Sequence, residues 1–319
     1  MGDDSLRRRL EALNRAPIAG AVREPSTSGD ADVPGLSLSK SAAGSLNTRP
    51  SNIPSVPVPP PIKSSSPPSI GIQIPGLLHR GEVVQTSAGE HLRICLPLDT
   101  LWPGSDRLVT ARQEFLQQQL AVARQAVNPT VVMHSEFATF VAALPDRTLL
   151  LDLETCGLAG AALFLVGVLR QIDGTPTVEL LLARNYADEA AVLASLWHLL
   201  ANHDVLVTFN GKTFDWPMVL ERSVRHRLQP HAAARPPHHV DVLHHSRRRW
   251  RNQLPNCRLQ TLERFICRRQ RQDDIPGHRI PAVYAEFVRT GFERDMDTVL
   301  YHNAIDLVTL FDLSLRLAG

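Results

Sequence analysis

Residues 146–154, DRTLLLDLE, form a near-continuous apolar run, the pattern of a strand buried on both faces. AALFLVGVLRQI (161–172) and TVELLLAR (177–184) predict two further strands, with Asp173-Gly174 at the turn between them. From Asp188, DEAAVLASLWHLLANH has acids at its start and apolar residues at helical spacing, so it predicts a helix. DVLVTFN (204–210) reads as a fourth strand and HHVDVLHH (238–245) as a short fifth. Between them FDWPMVLERSVRHRL reads as helix, with Pro217 tolerated in its first turn. The remainder is helical, over roughly 258–268, 281–290 and 295–316. Residues 130–319 therefore predict one α/β domain, and no internal repeat is visible.

Two regions precede it. Residues 76–129 read as a small lead-in that packs on the main domain. In it GEVVQTSAGEHLRICLPL alternates like strand, with Ser87-Ala88-Gly89 as a turn, and RLVTARQEFLQQQLAVARQ follows as helix. Residues 1–75 are poor in order-forming residues, and SVPVPPPIKSSSPPS lies within a Pro- and Ser-dense stretch. Such a stretch buries too little apolar surface to offset its ordering entropy, so a disordered tether is expected. Within it Leu6, Leu10 and Leu13 recur at helical spacing, so residues 4–15 read either as a docking helix for a protein partner or as a frayed one.

Composition narrows the classes. At 43% apolar the chain can build a sizeable core, and at 5% aromatic that core must be aliphatic. A net charge of +2 names no partner by itself. The four cysteines form no CxxC pair, which argues against a zinc ribbon and for reduced thiols. No window resembles a signal peptide or a membrane span, so a soluble cytoplasmic protein is expected.

Three segments carry chemistry. Asp152 and Glu154 alternate at the end of the first strand of the domain and so project to one face. Paired like charges on an apolar strand call for a hard cation such as Mg²⁺ or Mn²⁺, although a solvated strand end also accommodates two acids. FNGKTFDWP (209–217) ends a strand at Asn210-Gly211 and puts Asp215 at the start of a helix, as a cap or as a further ligand. Lys212 there meets a phosphate or is simply solvated. In HNAIDLVTLFDL, His302 and Asp306 lie one turn apart on an apolar helix, either as site residues or as a simple hydrogen-bonded pair.

Taken together, LDLETCGL, FNGKTFDWP, HVDVLHHSRR, LQTLERF and YHNAIDLVTL resemble the DEDD exonuclease superfamily, and more narrowly its YprB-type ribonuclease-H-like members. The resemblance covers roughly residues 147–315. DLET-x-GL and NG-x-x-FD-x-P are also similar to the proofreading segments of family B DNA polymerases. The resemblance implies a ribonuclease-H-like, mixed five-stranded sheet flanked by helices, matching the order of elements above. It further implies a divalent-metal-dependent 3′–5′ exonuclease with two ions, Mg²⁺ or Mn²⁺, about 3.5–4 Å apart. Asp152 would bridge both ions, Glu154 and Asp306 would complete one shell and Asp215 the other, and His302 would accept a proton. One departure concerns the base. The family shows His five residues before the last Asp or Tyr four before it, whereas here His302 is four before Asp306 and Tyr301 five before.

The expected substrate is a polyanion, DNA or RNA. Arg247, Arg248, Arg249, Arg251, Arg258, Arg264, Arg268, Arg269 and Arg271 form a basic run opposed by Glu263 alone before Asp273. With Asn210 and Lys212, the arginines Arg248, Arg249 and Arg251 are candidate phosphate contacts and Trp250 a stacking platform. The plain alternative is a solvated basic helix face anchored by Trp250. His238, His239, His244 and His245 match no zinc spacing, and Asp241 among them reads as a structural or supporting acid. Two other functions remain open: a non-catalytic nucleic-acid-binding module and a ribonuclease-H-fold endonuclease.

Overall fold

The computed structural model describes residues 74–125, 133–157, 160–228, 237–272 and 274–319. These fall within one compact unit, Lys63–Gly319. The expectations of a tether and of a docking helix at residues 4–15 lie outside the described residues.

Among the described residues, seven strands form a single mixed sheet. They are β1 (Glu82–Thr86), β2 (Gly89–Pro97), β3 (Thr148–Thr155), β4 (Leu163–Ile172), β5 (Thr175–Leu182), β6 (Val205–Thr208) and β7 (His238–Asp241). Their spatial order is β1-β2-β5-β4-β3-β6-β7. Antiparallel pairing runs from β1 through β3, and β3, β6 and β7 are parallel. The five strands expected of the main domain are all present, but the sheet has seven rather than five. The lead-in hairpin supplies the other two: β2 pairs with β5 from Leu92↔Leu182 to Pro97↔Thr177. Without it β5 would be an open edge carrying a row of unpaired amides and carbonyls.

Helices flank the sheet: α1 (Ser105–Gln125), α2 (Ser135–Ala143), α3 (Glu189–Leu200), α4 (Asp215–Arg225), α5 (Val242–Trp250), α6 (Ile280–Thr290) and α7 (Arg294–Ala318). The helix α3 packs on β1, β2, β4 and β5, and α7 packs on β3, β4 and β5. From Met296 to Leu315 most of α7 is buried, including polar Asn303, Thr309 and Ser314. A helix buried nearly all round must satisfy such polar groups internally, and that is where chemistry can be housed. The core is aliphatic, as the composition requires, with Leu149, Leu150 and Leu151 of β3 at its centre. Tyr284 of α6 stacks on Phe164 at 3.9 Å and donates its hydroxyl to the Ala183 carbonyl at 3.0 Å.

Two local expectations are corrected. HHVDVLHH is strand only to Asp241, whose carboxylate accepts the Leu243 amide at 3.1 Å and so starts α5. The stretch 258–268 is one helical turn, Leu259–Leu262, that widens into a π-type turn, Glu263–Cys267. The wider turn leaves Glu263 buried, accepting from Thr309 at 2.8 Å. Among the described residues no helix is long and apolar enough to cross a membrane.

Candidate functional site

Strand β3 ends in Asp152 and Glu154, opposite Gly167 and Leu165 of β4, with an irregularity between Glu154 and Thr155. Asp152 accepts a 2.7 Å hydrogen bond from the Asn303 side-chain amide of α7. Gly167 makes this possible, because a Cβ there would sit 1.8 Å from Asn303 Oδ1 and 2.9 Å from Leu307 Cδ1. The glycine in the middle of an apolar strand is thus a point of close approach between sheet and helix.

The loop after β6 delivers the third acid. Buried Asp241 accepts the backbone amides of Asn210 at 2.8 Å and Lys212 at 3.2 Å, which folds residues 209–215 into a fixed bend. Asn210 takes the left-handed conformation, φ 66°, and Gly211 instead answers a steric need: its Cβ would meet the Thr208 side chain at 2.4 Å. The supporting role expected of Asp241 is what it performs. Asp215 is the first residue of α4 rather than its cap, and its own amide and that of Leu153, between Asp152 and Glu154, temper the rise that burial imposes on its carboxyl.

Helix α7 brings the remaining groups. His302 and Asp306 lie one turn apart, with Nε2 3.4 Å from Asp306 Oδ2. The other ring nitrogen of His302 meets Asp274 at 2.6 Å. Arg271 bonds to Asp306 and to Glu263, the latter at 2.6 Å.

Electrostatics tie these groups together. Burial, then the charges of Asp306, Glu154 and Asp215, push Asp152 well above the usual carboxylate range. Burial likewise raises Glu154 to about 8, with Asp306 and Asp215 adding to the rise and His302 opposing it. Burial also raises Asp215 to about 7. For His302 burial opposes the charge, but Asp306, Asp274 and Glu154 prevail and lift it to about 9. Each acid stays partly open to solvent while its surroundings are mostly protein. Asp152, Glu154, Asp215, His302 and Asp306, separated by up to 154 positions in the chain, therefore share one electrostatic site. The acids are not drawn into closest contact. Among the described residues, the group with three ligand atoms all within 4.8 Å is instead His134, Glu136 and His245.

The basic run divides. Arg248 and Arg249 of α5 and Arg251 just beyond it are exposed, and Arg247, Arg248 and Arg251 line an open depression with Lys212, His244 and Glu136. Lys212 is exposed and its ammonium sits 3.1 Å from Glu136. Asn210 is half-buried. Trp250 does not offer a stacking face: its indole is in the core and only 9% exposed, so it anchors α5. Arg269 and Arg271 also leave the basic surface, because buried Asp312 and Glu263 hold them inside.

Asn303, Asp274, Glu263 and the ion-pairing role of Arg271 were not expected from the sequence. The glycine within β4 and the asparagine beside His302 were the available signals for the first of these.

A family model described as the RNase_H superfamily matches residues 149–318. The chain is 33% identical over 174 residues to a protein of Bacillus subtilis (strain 168) named "Uncharacterized protein YprB". That match takes in 52% of this chain and 41% of the relative, so the chain spans less than half the length of its curated relative. It is also similar to a solved structure, a family B DNA polymerase from the hyperthermophilic archaeon Pyrobaculum calidifontis, at 17% identity and a TM-score of 0.45. That similarity covers 54% of this chain and 24% of the polymerase. With the match running from β3 through α7, the chain belongs to the RNase_H superfamily and is of the YprB type within it.

Proposed function

We propose that this protein is a divalent-metal-dependent nuclease that hydrolyses phosphodiester bonds and works from the 3′ end of a nucleic-acid strand. The observation that carries this reading is the shared electrostatic site of Asp152, Glu154, Asp215 and Asp306. Acids gathered in one largely protein-lined site are costly, and burial holds the protons of Asp152, Glu154 and Asp215 more tightly than on a free carboxylate. Arg271 and His302 offset only part of their charge. The buried Oδ1 of Asn303, directly beside Asp152, has no hydrogen-bond partner among the described residues. An all-oxygen donor set with surplus negative charge fits Mg²⁺ or Mn²⁺.

Asp152, Glu154, Asp215 and Asp306 are the residues that would hold a pair of such ions, which when bound supply an activated water and charge neutralisation at the phosphate. The chain's own groups do the rest. Asn303 fixes the Asp152 carboxylate through its 2.7 Å bond. Asp274 fixes the His302 ring at one nitrogen and turns the other toward Asp306, the geometry of a residue that takes and returns a proton at Nε2. Lys212, Arg248, Arg249 and Arg251 supply sequence-independent attraction for phosphates, and the half-buried Asn210 shapes the loop between them and the acids. The 3′–5′ direction rests on the resemblance in the DxE, NGxxFD and HxxxD motifs.

The test uses purified protein, single strands labelled at the 5′ end, and Mg²⁺ or Mn²⁺ added to chelator-treated enzyme. A ladder that shortens progressively from the 3′ end supports the proposal. Internal cuts convert the reading to an endonuclease, and binding without any cleavage converts it to a nucleic-acid-binding module.

A further inference from the structure

Apart from the acids stands a cluster of different chemistry. His134 caps the N-terminus of α2, Glu136 lies in its first turn, and His245 belongs to α5. One ligand atom from each lies within 4.8 Å of the other two. His245 is buried, and its Nε2 is 2.5 Å from Glu136 Oε2. Its ring is wedged between His134 and Phe137, with centroids at 4.7 and 4.6 Å. Residues 109 positions apart in the chain thus present two imidazoles and a carboxylate to one point.

We infer that His134, Glu136 and His245 form a second metal site, separate from the carboxylate cluster, that takes a zinc-class transition-metal ion. Two imidazoles and one carboxylate are a borderline donor set, unlike the all-oxygen set at Asp152, and such a set favours zinc over magnesium. Tetrahedral zinc, with ligands at about 2.0–2.1 Å, holds its donors roughly 3.3 Å apart, so small side-chain shifts suffice here. The free carboxylate oxygen, Oε1 of Glu136, already takes a 3.1 Å bond from Lys212, the kind of outer contact that orients a metal-binding carboxylate. His134 Nδ1 accepts only a long 3.3 Å bond from the Glu136 amide, which a metal on that nitrogen would replace. Glu136 also lines the open depression shared with Lys212, Arg247 and Arg248, which gives an ion a path in from solvent. A metal here ties α2 to α5 beneath the exposed arginines. The inference is independent of the nuclease reading, since neither histidine touches the four acids.

The test is a titration of the full, chelator-treated chain with Co²⁺ as an optical probe, followed by Zn²⁺ alone as competitor, with circular dichroism to check folding. The expected result is one equivalent of four-coordinate Co²⁺ displaced by Zn²⁺. The signal persists in Asp152→Asn and weakens at least tenfold in both His134→Ala and His245→Asn. His134 is exposed but caps α2, so circular dichroism must show that His134→Ala is folded. Three results would overturn the inference: no four-coordinate signal, a signal indifferent to both histidine variants, or one abolished by Asp152→Asn. Indifference or absence would leave Glu136 as a plain ion-pair partner of His245 and Lys212.

Discussion

Replacing Gly167 by alanine tests whether the close approach of β4 and α7 positions the acids. The new Cβ would lie 1.8 Å from Asn303 Oδ1 and 2.9 Å from both Asn303 Cγ and Leu307 Cδ1. Carbon and oxygen in ordinary weak contact sit at about 3.3–3.6 Å, so the Asn303 amide must retreat by roughly 1.5 Å. That movement takes it out of reach of Asp152, to which it now bonds at 2.7 Å. Overpacking of a dense core costs about 1–3 kcal/mol, and a lost buried hydrogen bond about 1 kcal/mol or more. We expect Gly167→Ala to destabilise the protein by about 3 kcal/mol, or roughly 6–12 °C in Tm for a domain of this size. Cleavage should fall more steeply, since an ångström of misplacement can cost on the order of 10²-fold. The assays are denaturant unfolding and single-turnover cleavage in Gly167→Ala, Asn303→Ala and the double variant. With the amide truncated, most of the clash disappears, so Gly167→Ala should cost clearly less in the Asn303→Ala background. An equal cost in both backgrounds would refute the reasoning.

Other outcomes follow from the same geometry. Glu154 and Asp215 have folded-state values raised to about 8 and 7, so their contribution to stability is fully present near pH 4 and is lost as pH rises through those values. His302, lifted to about 9, acts in the same direction up to that pH. Chelator-treated protein should therefore lose Tm between pH 5 and 9, and Mg²⁺ should raise Tm more at pH 8.5 than at pH 6; a flat response in calorimetry contradicts this. Arg271→Leu strands Glu263 and Asp306 without their cation and should cost about 3–5 kcal/mol in denaturant unfolding. Arg248→Ala, on an exposed face, should leave Tm unchanged and lower the salt dependence of nucleic-acid binding by about one unit of slope.

The central strands β3 to β6 were legible because their apolar runs are long and bounded by turn residues. The place of β2 was not: its alternation marks a strand, but nothing local records that its partner is β5, more than eighty residues on. The strand expected over 238–245 failed at its second half because Val242 and Leu243 suit either state, and the deciding event is the Asp241 cap. The four acids and His302 are singled out by motif spacing, which survives in sequence. Their surroundings were less legible, since Asp274 orients His302 from another loop and Arg271 turns inward to pair with buried Glu263 and with Asp306. Trp250 shows the limit of reading a charged run: flanking arginines say nothing about which face of the helix an indole takes.

The most direct measurement is single-turnover cleavage of a 5′-labelled single strand by Asp306→Asn beside the unaltered protein, at saturating Mg²⁺ or Mn²⁺ and with matched Tm. The shared acid site predicts that cleavage drops by on the order of 10³-fold or more, about 4 kcal/mol of barrier, while strand binding persists. Undiminished cleavage in the folded variant would contradict it.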